Sequence, residues 1–493
     1  MITARHRHTA LLVAGCFFME MLDGTIVTTA TPQIGKSLHA PPASVGLVVT
    51  AYLLTLAVLI PLSGWLTRRF GNRAIFLTAI AVFTGASIGC ASSVNLGMLV
   101  GMRVIQGAGG AMMVPVGRNM VISMADKRDL LKVTSYVVWP GLIAPVIAPL
   151  AGGLITTYAT WHWMFLINVP LGIVAFAVAT RLIDNLPGTG VTAPLDWPGV
   201  LLTCAGLGGL AYAAHLVSVP GSGGLPEGAF GIGSLILLFL AIWHLRRAAH
   251  PLLNLRTLRV HTFRITQRGG TLYYMVCGAM PFLLPLEFQT QFGWSPVKSG
   301  ALTLFIFVGN VGIKPATTPL IDRFGFRAFL IASTAGTVAV VALLALVTAS
   351  TPVPLIALLA IAQGVFRSTG MTTYSTVGFA DTRPEDVRDV STLLATSQQM
   401  ATGLSVAVAT VLLRIGGGTG RAAFVTAFLL LAAIAVGPAI EALRMRRDAG
   451  DAARRRSSAG AGPGTLAPGP AVPAGGMAQA GGGGTGGGAA QGE

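Results

Sequence analysis

Charged side chains are scarce in this chain of 493 residues: they make up 10% of it, against about 25% in ordinary soluble domains. Hydrophobic residues make up 53%, and the mean hydropathy is +0.72. A soluble protein with so few charges would expose large apolar patches to water. The composition therefore argues against a soluble, multi-domain protein.

Cysteine is also rare. Cys16, Cys90, Cys204 and Cys277 each stand alone within an apolar run, with no Cys-x-x-Cys motif and no Cys/His cluster. This spacing predicts neither a disulfide framework nor a metal site. We interpret the four cysteines as helix-packing residues.

Long apolar runs fill most of the chain instead. A bilayer core about 30 Å thick is crossed by roughly 20 residues of helix, and lipid satisfies no backbone polar groups. The runs are too long and continuous for the alternating strands of a membrane barrel. We therefore predict an all-α polytopic membrane protein. Its fourteen spans are expected at 10–32, 46–66, 74–94, 97–118, 133–157, 163–183, 197–217, 230–246, 269–289, 299–318, 328–348, 354–376, 391–412 and 422–442.

The distribution of basic residues predicts the orientation. With the N-terminus inside, only four of the 33 Lys and Arg residues fall in outer loops: Lys36, Lys298, Arg414 and Arg421. This bias predicts that both termini are cytoplasmic. We expect the protein to lie in the inner membrane of a bacterial cell. The formal charge of +16 then reflects orientation and contact with anionic membrane lipid, so we predict no nucleic-acid partner.

Two motifs occur twice. Residues 68–73 (RRFGNR) after the second span resemble 322–327 (DRFGFR) after the tenth, and Gln106-Gly107 in the fourth span matches Gln363-Gly364 in the twelfth. The copies are separated by 254 and 257 residues. Two matches at nearly one offset predict two related six-helix halves, an arrangement common in secondary transporters.

The repeat suggests a division of the chain. We predict an N-terminal six-helix bundle over 1–185, two additional spans over 186–250, and an amphipathic linker with a C-terminal six-helix bundle over 251–447. The basic segment 250–268 should lie along the inner membrane surface between the bundles. Residues 448–493, rich in Arg and then in Gly, Ala and Pro, should form a disordered cytoplasmic tail.

Ionisable residues at membrane depth cost about 2.5–3.5 kcal/mol each on insertion scales, so each needs an explanation. Glu20 and Asp23 lie one helical turn apart on one face of the first span. Burial and mutual repulsion favour the protonated form of a carboxyl group, so both are candidate proton carriers. Arg103 in the fourth span stays charged and needs a partner, for which Asp23 is the candidate. Protonation of Asp23 would release Arg103, with a static structural ion pair as the alternative.

Five other polar residues are candidates for a substrate cavity: Glu287, Arg367, Lys314, Gln106 and Gln363. Glu287 would attract cations or relay protons, or else it faces the outer water. Arg367, in the middle of the twelfth span, would favour an anionic substrate. Lys314 either faces the pore or extends its amine to the inner interface. The sequence leaves the charge of the substrate open.

The fifth span has the features of a bending, tightly packed gate. It contains Pro140, Pro145 and Pro149, followed by Gly152 and Gly153. Proline removes a backbone hydrogen bond, and small residues let helices approach closely. Ordinary tight packing without gating is the alternative.

These motifs resemble the major facilitator superfamily, and more narrowly its fourteen-helix drug:proton antiporters of EmrB/QacA type, over about residues 10–445. The matching stretches are 22–27 with Pro32, 64–73, Arg103 with Gln106 and Gly107, 148–153, and 161–170 (WHWMFLINVP). The resemblance implies that the chain exports small amphipathic molecules in exchange for protons by alternating access, with Asp23 and Arg103 in the coupling. It also implies gating or packing roles for Gly64, Gly71, Arg73, Asp322, Arg323 and Gly325.

The chain departs from the family pattern at three positions. Thr28 stands where Asn is usual, Ala148 where Gly is usual and Arg68 where Asp is usual. In the family that Asp helps to latch the two halves on the inner side, whereas an Arg would be repelled by a facing helix N-terminus. The second copy keeps its acid as Asp322, so we predict a weakened or rewired inner latch.

Other functions stay open at this point. A dedicated exporter of a metabolite or metal chelate fits the same residues, and a non-transporting membrane sensor fits less well because the tail has no recognisable output domain. An enzyme is not expected, since the eight histidines form no catalytic or metal-binding group. We expect no cofactor, with the proton gradient as the energy source, and the need for a periplasmic adaptor is undecided.

Replacing Arg68 with Asp should strengthen the inner latch, because an acid would favour a facing helix N-terminus. Cysteines introduced along the inner cavity should then react more slowly with a membrane-impermeant maleimide. Equal labelling rates in the parent protein and in the Arg68→Asp variant would count against a rewired latch.

Overall fold

Helices make up all regular structure in the part of the chain that is described. The computed structural model describes residues 4–124, 130–184, 194–218, 225–249, 251–379, 381–383, 386–418 and 420–445, and contains no strand there. The α-helices are α1 (Ala4–Ser37), α2 (Pro42–Leu59), α3 (Ser63–Phe70), α4 (Asn72–Ala91), α5 (Leu96–Met124), α6 (Leu130–Tyr158), α7 (Trp163–Leu166), α8 (Asn168–Leu182), α9 (Trp197–Ser218), α10 (Leu225–Arg247), α11 (His261–Thr290), α12 (Pro296–Gly312), α13 (Lys314–Phe324), α14 (Phe326–Leu344), α15 (Val353–Gly378), α16 (Val387–Ile415) and α17 (Arg421–Arg444).

Fourteen candidate spans emerge from these helices. Within the described ranges, thirteen helical segments are long and apolar enough to cross a membrane. The fourteenth is the pair α12 and α13, which is bent by 50°. The break follows Gly312 and precedes Pro315, whose ring cannot supply a backbone N–H to continue the helix. The predicted all-α fold is confirmed, with thirteen candidate spans in the described ranges, or fourteen when the bent pair is counted as one span.

One predicted segment is partly wrong. The sequence predicts that the basic stretch 250–268 lies along the membrane surface, but α11 begins at His261 and runs without interruption into the span. Only the preceding residues, with a 3-10 turn at Leu255–Arg259, form a connection between the bundles. Arg264 and Arg268 lower the local hydropathy, yet a helix can continue past the apolar core while its basic side chains reach polar surroundings. The predicted tail, 448–493, lies outside the described residues.

The internal repeat is visible in matching contacts. Gly71 and Gly325 each end a helix in the left-handed region, with φ of 84° and 79°, where a side chain would be strained. Just after them, Arg73 donates to the carbonyl oxygen of Thr180 at 2.8 Å, and Arg327 donates to that of Leu443 at 2.9 Å. Each arginine therefore ties the third span of its half to the end of the sixth. The loop motif has the same structural role in both halves.

The two halves are closed against each other at one face of the bundle. We call the face with residues 4 and 444 the terminal face, and the other the opposite face. Near the opposite face, Gly153 of α6 lies against the backbone of Pro296, and Gly300 of α12 lies against that of Pro149. At the terminal face, α3 and α13 pack within their own halves, while α16 contacts α2 and the 3-10 turn Ile60–Leu62 that follows it. The contacts of α1 with α11 and of α6 with α12 are therefore those that close the opposite face.

The same closure joins α1 and α11. Gln33 Nε2 donates to Gln289 Oε1 at 2.9 Å, and Gln289 Nε2 donates to the carbonyl oxygen of Thr29 at 2.9 Å. Gly152 of α6 packs directly on Thr29 and Ile26 of α1. The tight packing expected of Pro149, Gly152 and Gly153 is thus present, while their gating role stays a prediction.

The two additional spans, α9 and α10, pack against each other, and α9 also contacts α2 and α16. They therefore lie beside the junction of the halves. Asp196 fixes their terminal-face end: its carboxylate accepts from Gly199 N at 2.9 Å and Leu252 N at 3.0 Å, and contacts His244 Nε2 at 2.6 Å. This carboxylate joins the inserted pair to the start of the C-terminal half.

Replacing Gly300 with Ala should open the opposite face, because the added methyl group would overlap the carbonyl oxygen of Pro149. Overpacking of this kind costs about 1–3 kcal/mol, and here it destabilises only the closed conformation. Spin labels at the exposed residues Val94 and Ser350 would report a longer distance distribution. Gly312→Ala in the same helix is the matched control, since its methyl group meets no neighbour. Identical distributions for both variants would refute a closing contact at Gly300.

Candidate functional site

A buried ion pair joins the first and fourth spans. Asp23 of α1 is 1% exposed and Arg103 of α5 is 0% exposed. Arg103 Nη1 donates to Asp23 Oδ2, and Arg103 Nη2 donates to the Asp23 carbonyl oxygen at 3.4 Å. The predicted partnership of these two residues is therefore present in the fold.

Three further polar side chains complete the environment of Asp23. Gln106 Nε2 donates to Asp23 Oδ1 at 3.0 Å and to Ser87 Oγ at 2.7 Å. Asn168 Nδ2 donates to the same Asp23 oxygen at 2.7 Å. Arg103 Nη1 also donates to Gln106 Oε1 at 2.8 Å. The carboxylate of Asp23 thus accepts from three side chains, two on α5 and one on α8.

This network changes the role assigned to Gln106. The sequence places Gln106 among the cavity candidates, but it is fully buried and both ends of its amide are used within the network. Sequence reasoning missed Asn168 and Ser87 altogether. The available signal was an Asn in the apolar stretch 161–170, because an amide buried in a span needs a partner. Ser87 gave no signal, since serine is common in tightly packed spans.

Aromatic rings cover the guanidinium of Arg103. Its Cζ lies 4.5 Å from the ring centroid of Tyr52 in α2 and 5.2 Å from that of Phe165 in α7. Cation–π contacts of this kind contribute most where water is excluded. The rings also shield the ion pair from solvent, which strengthens its electrostatic attraction.

Glu20 lies one turn from Asp23 and has a different environment. It is 6% exposed, and its Oε2 has no hydrogen-bond partner among the described residues. The hydroxyl of Tyr52 is likewise buried without a partner in the described chain. A Cβ atom placed at Gly110 of α5 would lie 3.4 Å from the Tyr52 hydroxyl and 3.8 Å from Glu20 Cδ, so both groups face one spot. Glu20 is thus a buried carboxyl group to which the described part of the fold supplies no counter-charge.

The polar candidates of the C-terminal half do not form an equivalent network within the described ranges. Gln363 is fully buried and both ends of its amide lack a partner there. Arg367 is half-buried, and its Nε and Nη1 also lack partners. Lys314 is half-buried at the bend between α12 and α13. The structure therefore brings Asp23, Glu20 and Arg103 together but leaves these three outside that cluster.

Glu287 does not face the outer water. It is 2% exposed, near the end of α11 at the opposite face, and its Oε2 has no partner in the described part of the chain. Two residues further on, Gln289 forms the contact with α1 that closes this face. The alternative in which Glu287 is solvated at the surface is wrong for this conformation.

The second-half residues of the expected latch are at the surface. Asp322 is exposed and forms no ion pair with any other described residue. Arg323 lies over the ring of its neighbour Phe324, with 5.4 Å between Cζ and the ring centroid. Asp322 therefore forms no latch with another described residue in this conformation.

A bundle of fourteen candidate spans in two repeated halves, with a charged network buried in one half, defines a polytopic membrane transporter. The profile of the Major Facilitator Superfamily matches residues 13–243 and 269–476. The chain belongs to the major facilitator superfamily, and it is a transporter of this class and not an enzyme.

Full-length relatives support this assignment. The chain is 34% identical over 461 residues to a protein of Klebsiella pneumoniae and 35% identical over 459 residues to one of Cronobacter sakazakii. Both are provisionally named multidrug resistance protein MdtD, and each comparison covers 91% of this chain and 97% of the relative. The motif at residues 109–118 (GGAMMVPVGR) resembles the same proteins.

Solved structures share the fold at low sequence identity. The nucleoside transporter NupG superposes with a TM-score of 0.61 at 14% identity, covering 89% of this chain and 98% of NupG. A bacterial homologue of the human lysosomal transporter Spinster, inward-facing and unoccupied, superposes with a TM-score of 0.58 at 14% identity, covering 90% and 96%. These likenesses concern the fold alone.

Breaking the ion pair should destabilise the protein strongly. Asp23→Asn or Arg103→Gln alone leaves the other charge buried without its partner, at a cost of about 3–5 kcal/mol. The double variant should lose less than the two single losses combined. Melting temperatures in detergent measure these losses of stability, with Arg5→Gln as a control. Arg5 pairs with exposed Asp184 at 2.5 Å, and such surface pairs contribute about 0–1 kcal/mol. A loss in the double variant equal to the sum of the two single losses would contradict a coupled pair.

Proposed function

We propose that this transporter is a proton-coupled exporter, which exchanges small amphipathic molecules for protons by alternating access. The observation that carries the proposal is the fully buried pair of Asp23 and Arg103, one helical turn from the unpaired carboxyl group of Glu20. Ionisable groups at this depth are rare and mark proton or substrate pathways.

The environments of the two carboxyl groups differ in a way that suits proton transfer. Asp23 accepts from Arg103, Gln106 and Asn168, and all three donors stabilise a carboxylate. Glu20 has no such donors among the described residues, so a neutral carboxyl group is the form that fits its surroundings. In this conformation Glu20 therefore holds the proton and Asp23 holds the charge.

Moving the proton from Glu20 to Asp23 would exchange these roles. A neutral Asp23 no longer compensates Arg103, and the guanidinium would be left charged between Tyr52 and Phe165. An uncompensated buried charge costs several kcal/mol, which is enough to favour a different arrangement of α1 and α5. Substrate binding and proton binding would thus compete through the packing of these two helices.

The charge distribution supplies the orientation. The terminal face carries most of the Lys and Arg residues, so we assign it to the cytoplasm and place the protein in the bacterial inner membrane. The closed opposite face would then be periplasmic, and we propose an inward-facing state in which substrate enters from the cytoplasm, as export requires.

The names of the relatives favour drug-like or other amphipathic substrates. The MdtD proteins of Klebsiella pneumoniae and Cronobacter sakazakii are provisionally named for multidrug resistance, and the present chain covers 97% of each. We extend to this chain an export role of that kind. The lipid-embedded, mostly apolar walls of the bundle suit molecules that partition into the membrane.

Transport driven by a pH gradient should depend on both carboxyl groups. Purified protein in liposomes should move fluorescent amphipathic compounds, tested as cationic, neutral and anionic members, only when a pH gradient is imposed. Glu20→Gln and Asp23→Asn should each reduce gradient-driven transport by roughly tenfold or more, because each removes a group that binds the proton. Exposed Asp184→Asn is the matched control and should transport normally.

Two outcomes would contradict this proposal. Transport at the full rate without a pH gradient would exclude proton coupling. Gradient-driven transport that survives in both Glu20→Gln and Asp23→Asn would place the coupling elsewhere, with Glu287 as the next carboxyl group to test.

A further inference from the structure

Unpaired polar atoms are concentrated at two neighbouring residues of α15. Nineteen buried side-chain nitrogen and oxygen atoms lack a hydrogen-bond partner among the described residues, and four belong to Gln363 and Arg367. Gln363 and Arg367 are four residues apart, so they are neighbours on the helix surface. Buried polar atoms are nearly always paired in folded proteins. The partner atoms of these side chains therefore come from water or from a ligand.

The N-terminal half offers a comparison, in which an arginine precedes the glutamine by three residues, whereas Arg367 follows Gln363 by four. Gln106 is the repeat equivalent of Gln363, at an offset of 257 residues, and its amide is fully bonded to Asp23, Ser87 and Arg103. In that half a glutamine and an arginine share one carboxylate, which the chain itself provides. In the described part of the C-terminal half the glutamine and an arginine are present, but the carboxylate is missing.

The described helices around Arg367 offer no substitute for it. The sole acidic residue of α11 is Glu287, ten residues beyond Cys277 and thus about 15 Å further along the helix. Asp389 of α16 accepts from Asn254 at 2.7 Å, and Glu441 of α17 pairs with Arg444 at 3.3 Å. The described helices α12, α14 and α15 contain no acidic residue, and the one acidic residue of α13, Asp322, is exposed.

The position of Arg367 faces the other half of the protein. On α15, Gly364 packs against Ile306 of α12, and Gly370 packs against Tyr273 of α11. Around the helix axis Arg367 lies between these two glycines, so its side chain starts between α12 and α11. Arg367 Cζ lies 5.5 Å from the ring centroid of Phe307 in α12. Both α11 and α12 contact α1, and α12 also contacts α6. The guanidinium therefore lies on the side of its half that faces the junction of the two halves.

We propose that Arg367 and Gln363 form a binding site for an anionic group of the transported molecule, a carboxylate or a sulfonate. The planar guanidinium binds such groups through two parallel N–H donors, and its charge is permanent. The Gln363 amide adds a further donor one turn away. This inference rests on the proposed transport function and specifies its substrate class.

A set of naphthalene probes tests the site in purified, full-length protein in neutral detergent. The probes are 2-naphthoate, 2-naphthalenesulfonate, 2-naphthamide and 2-naphthyltrimethylammonium, which share one ring system and differ in charge. Thermal shift and isothermal titration require no proton gradient, so the result is independent of whether transport is proton-coupled. The two anions should bind and raise the melting temperature, while the amide and the ammonium compound should not.

The variants locate the binding to Arg367. Arg367→Gln should weaken binding of the anions roughly 10- to 100-fold, as expected for lost hydrogen bonds to a charged group. Arg367→Lys, which keeps the charge without the planar donors, should retain part of the affinity, and Gln363→Leu should lose less than Arg367→Gln. Arg414→Gln removes an exposed charge at the opposite face and should bind normally. Without ligand, Arg367→Gln should be at least as stable as the parent, because it removes an unpaired charge.

Several results would overturn the proposal. Absence of binding by both anions, a preference for the ammonium probe, or unchanged anion affinity in Arg367→Gln would each do so. A lower melting temperature of unliganded Arg367→Gln would show that the chain already pairs this charge. If phosphatidylglycerol produced an Arg367-dependent shift and the soluble anions did not, the site would belong to a lipid headgroup and the assignment to a transported molecule would fall.

Discussion

The ion pair between Asp23 and Arg103 is the constraint on which the N-terminal half depends. A guanidinium that never loses its charge lies at 0% exposure within a bundle of apolar helices, and it is tolerated because one carboxylate and several neutral donors and acceptors are arranged around it. Those groups come from four different helices, α1, α4, α5 and α8. Any change in the charge of Asp23 therefore acts on four helices at once, which is how a single proton can influence the packing of a whole half.

The two halves keep the same architecture but differ in their charges. Arg73 and Arg327 make matching contacts to helix ends, and Gly71 and Gly325 make matching turns. In the membrane interior the symmetry is lost. Among the described residues, each half has an unpaired buried acid, Glu20 or Glu287, and the C-terminal half also has an unpaired base in Arg367. The ion pair beside Glu20 is the basis for our assignment of proton exchange to the first half, and Arg367 is the basis for our assignment of charge recognition to the second.

Hydropathy alone predicted the spans well, because a membrane helix must be apolar over a length fixed by the bilayer. Asp23 and Arg103 could be paired from the sequence for a related reason: few ionisable groups lie at membrane depth, and each needs a partner. Neutral polar residues gave much weaker signals. Ser87 and Asn168 are ordinary in composition, and only their position in the fold shows that they belong to the network around Asp23. The early start of α11 was missed because Arg264 and Arg268 lower hydropathy without ending a helix.

The most direct test is to observe the protons on the two carboxyl groups. Infrared spectra of the purified protein at neutral pH resolve the stretching band of a protonated carboxyl group, and difference spectra against Glu20→Gln and Asp23→Asn assign it. We predict that one component of the protonated band disappears in Glu20→Gln and is retained in Asp23→Asn, while a component from the buried Glu287 is unchanged in both variants. A band that is unchanged in Glu20→Gln, or that is lost in Asp23→Asn, would contradict the assignment of proton and charge to these two residues.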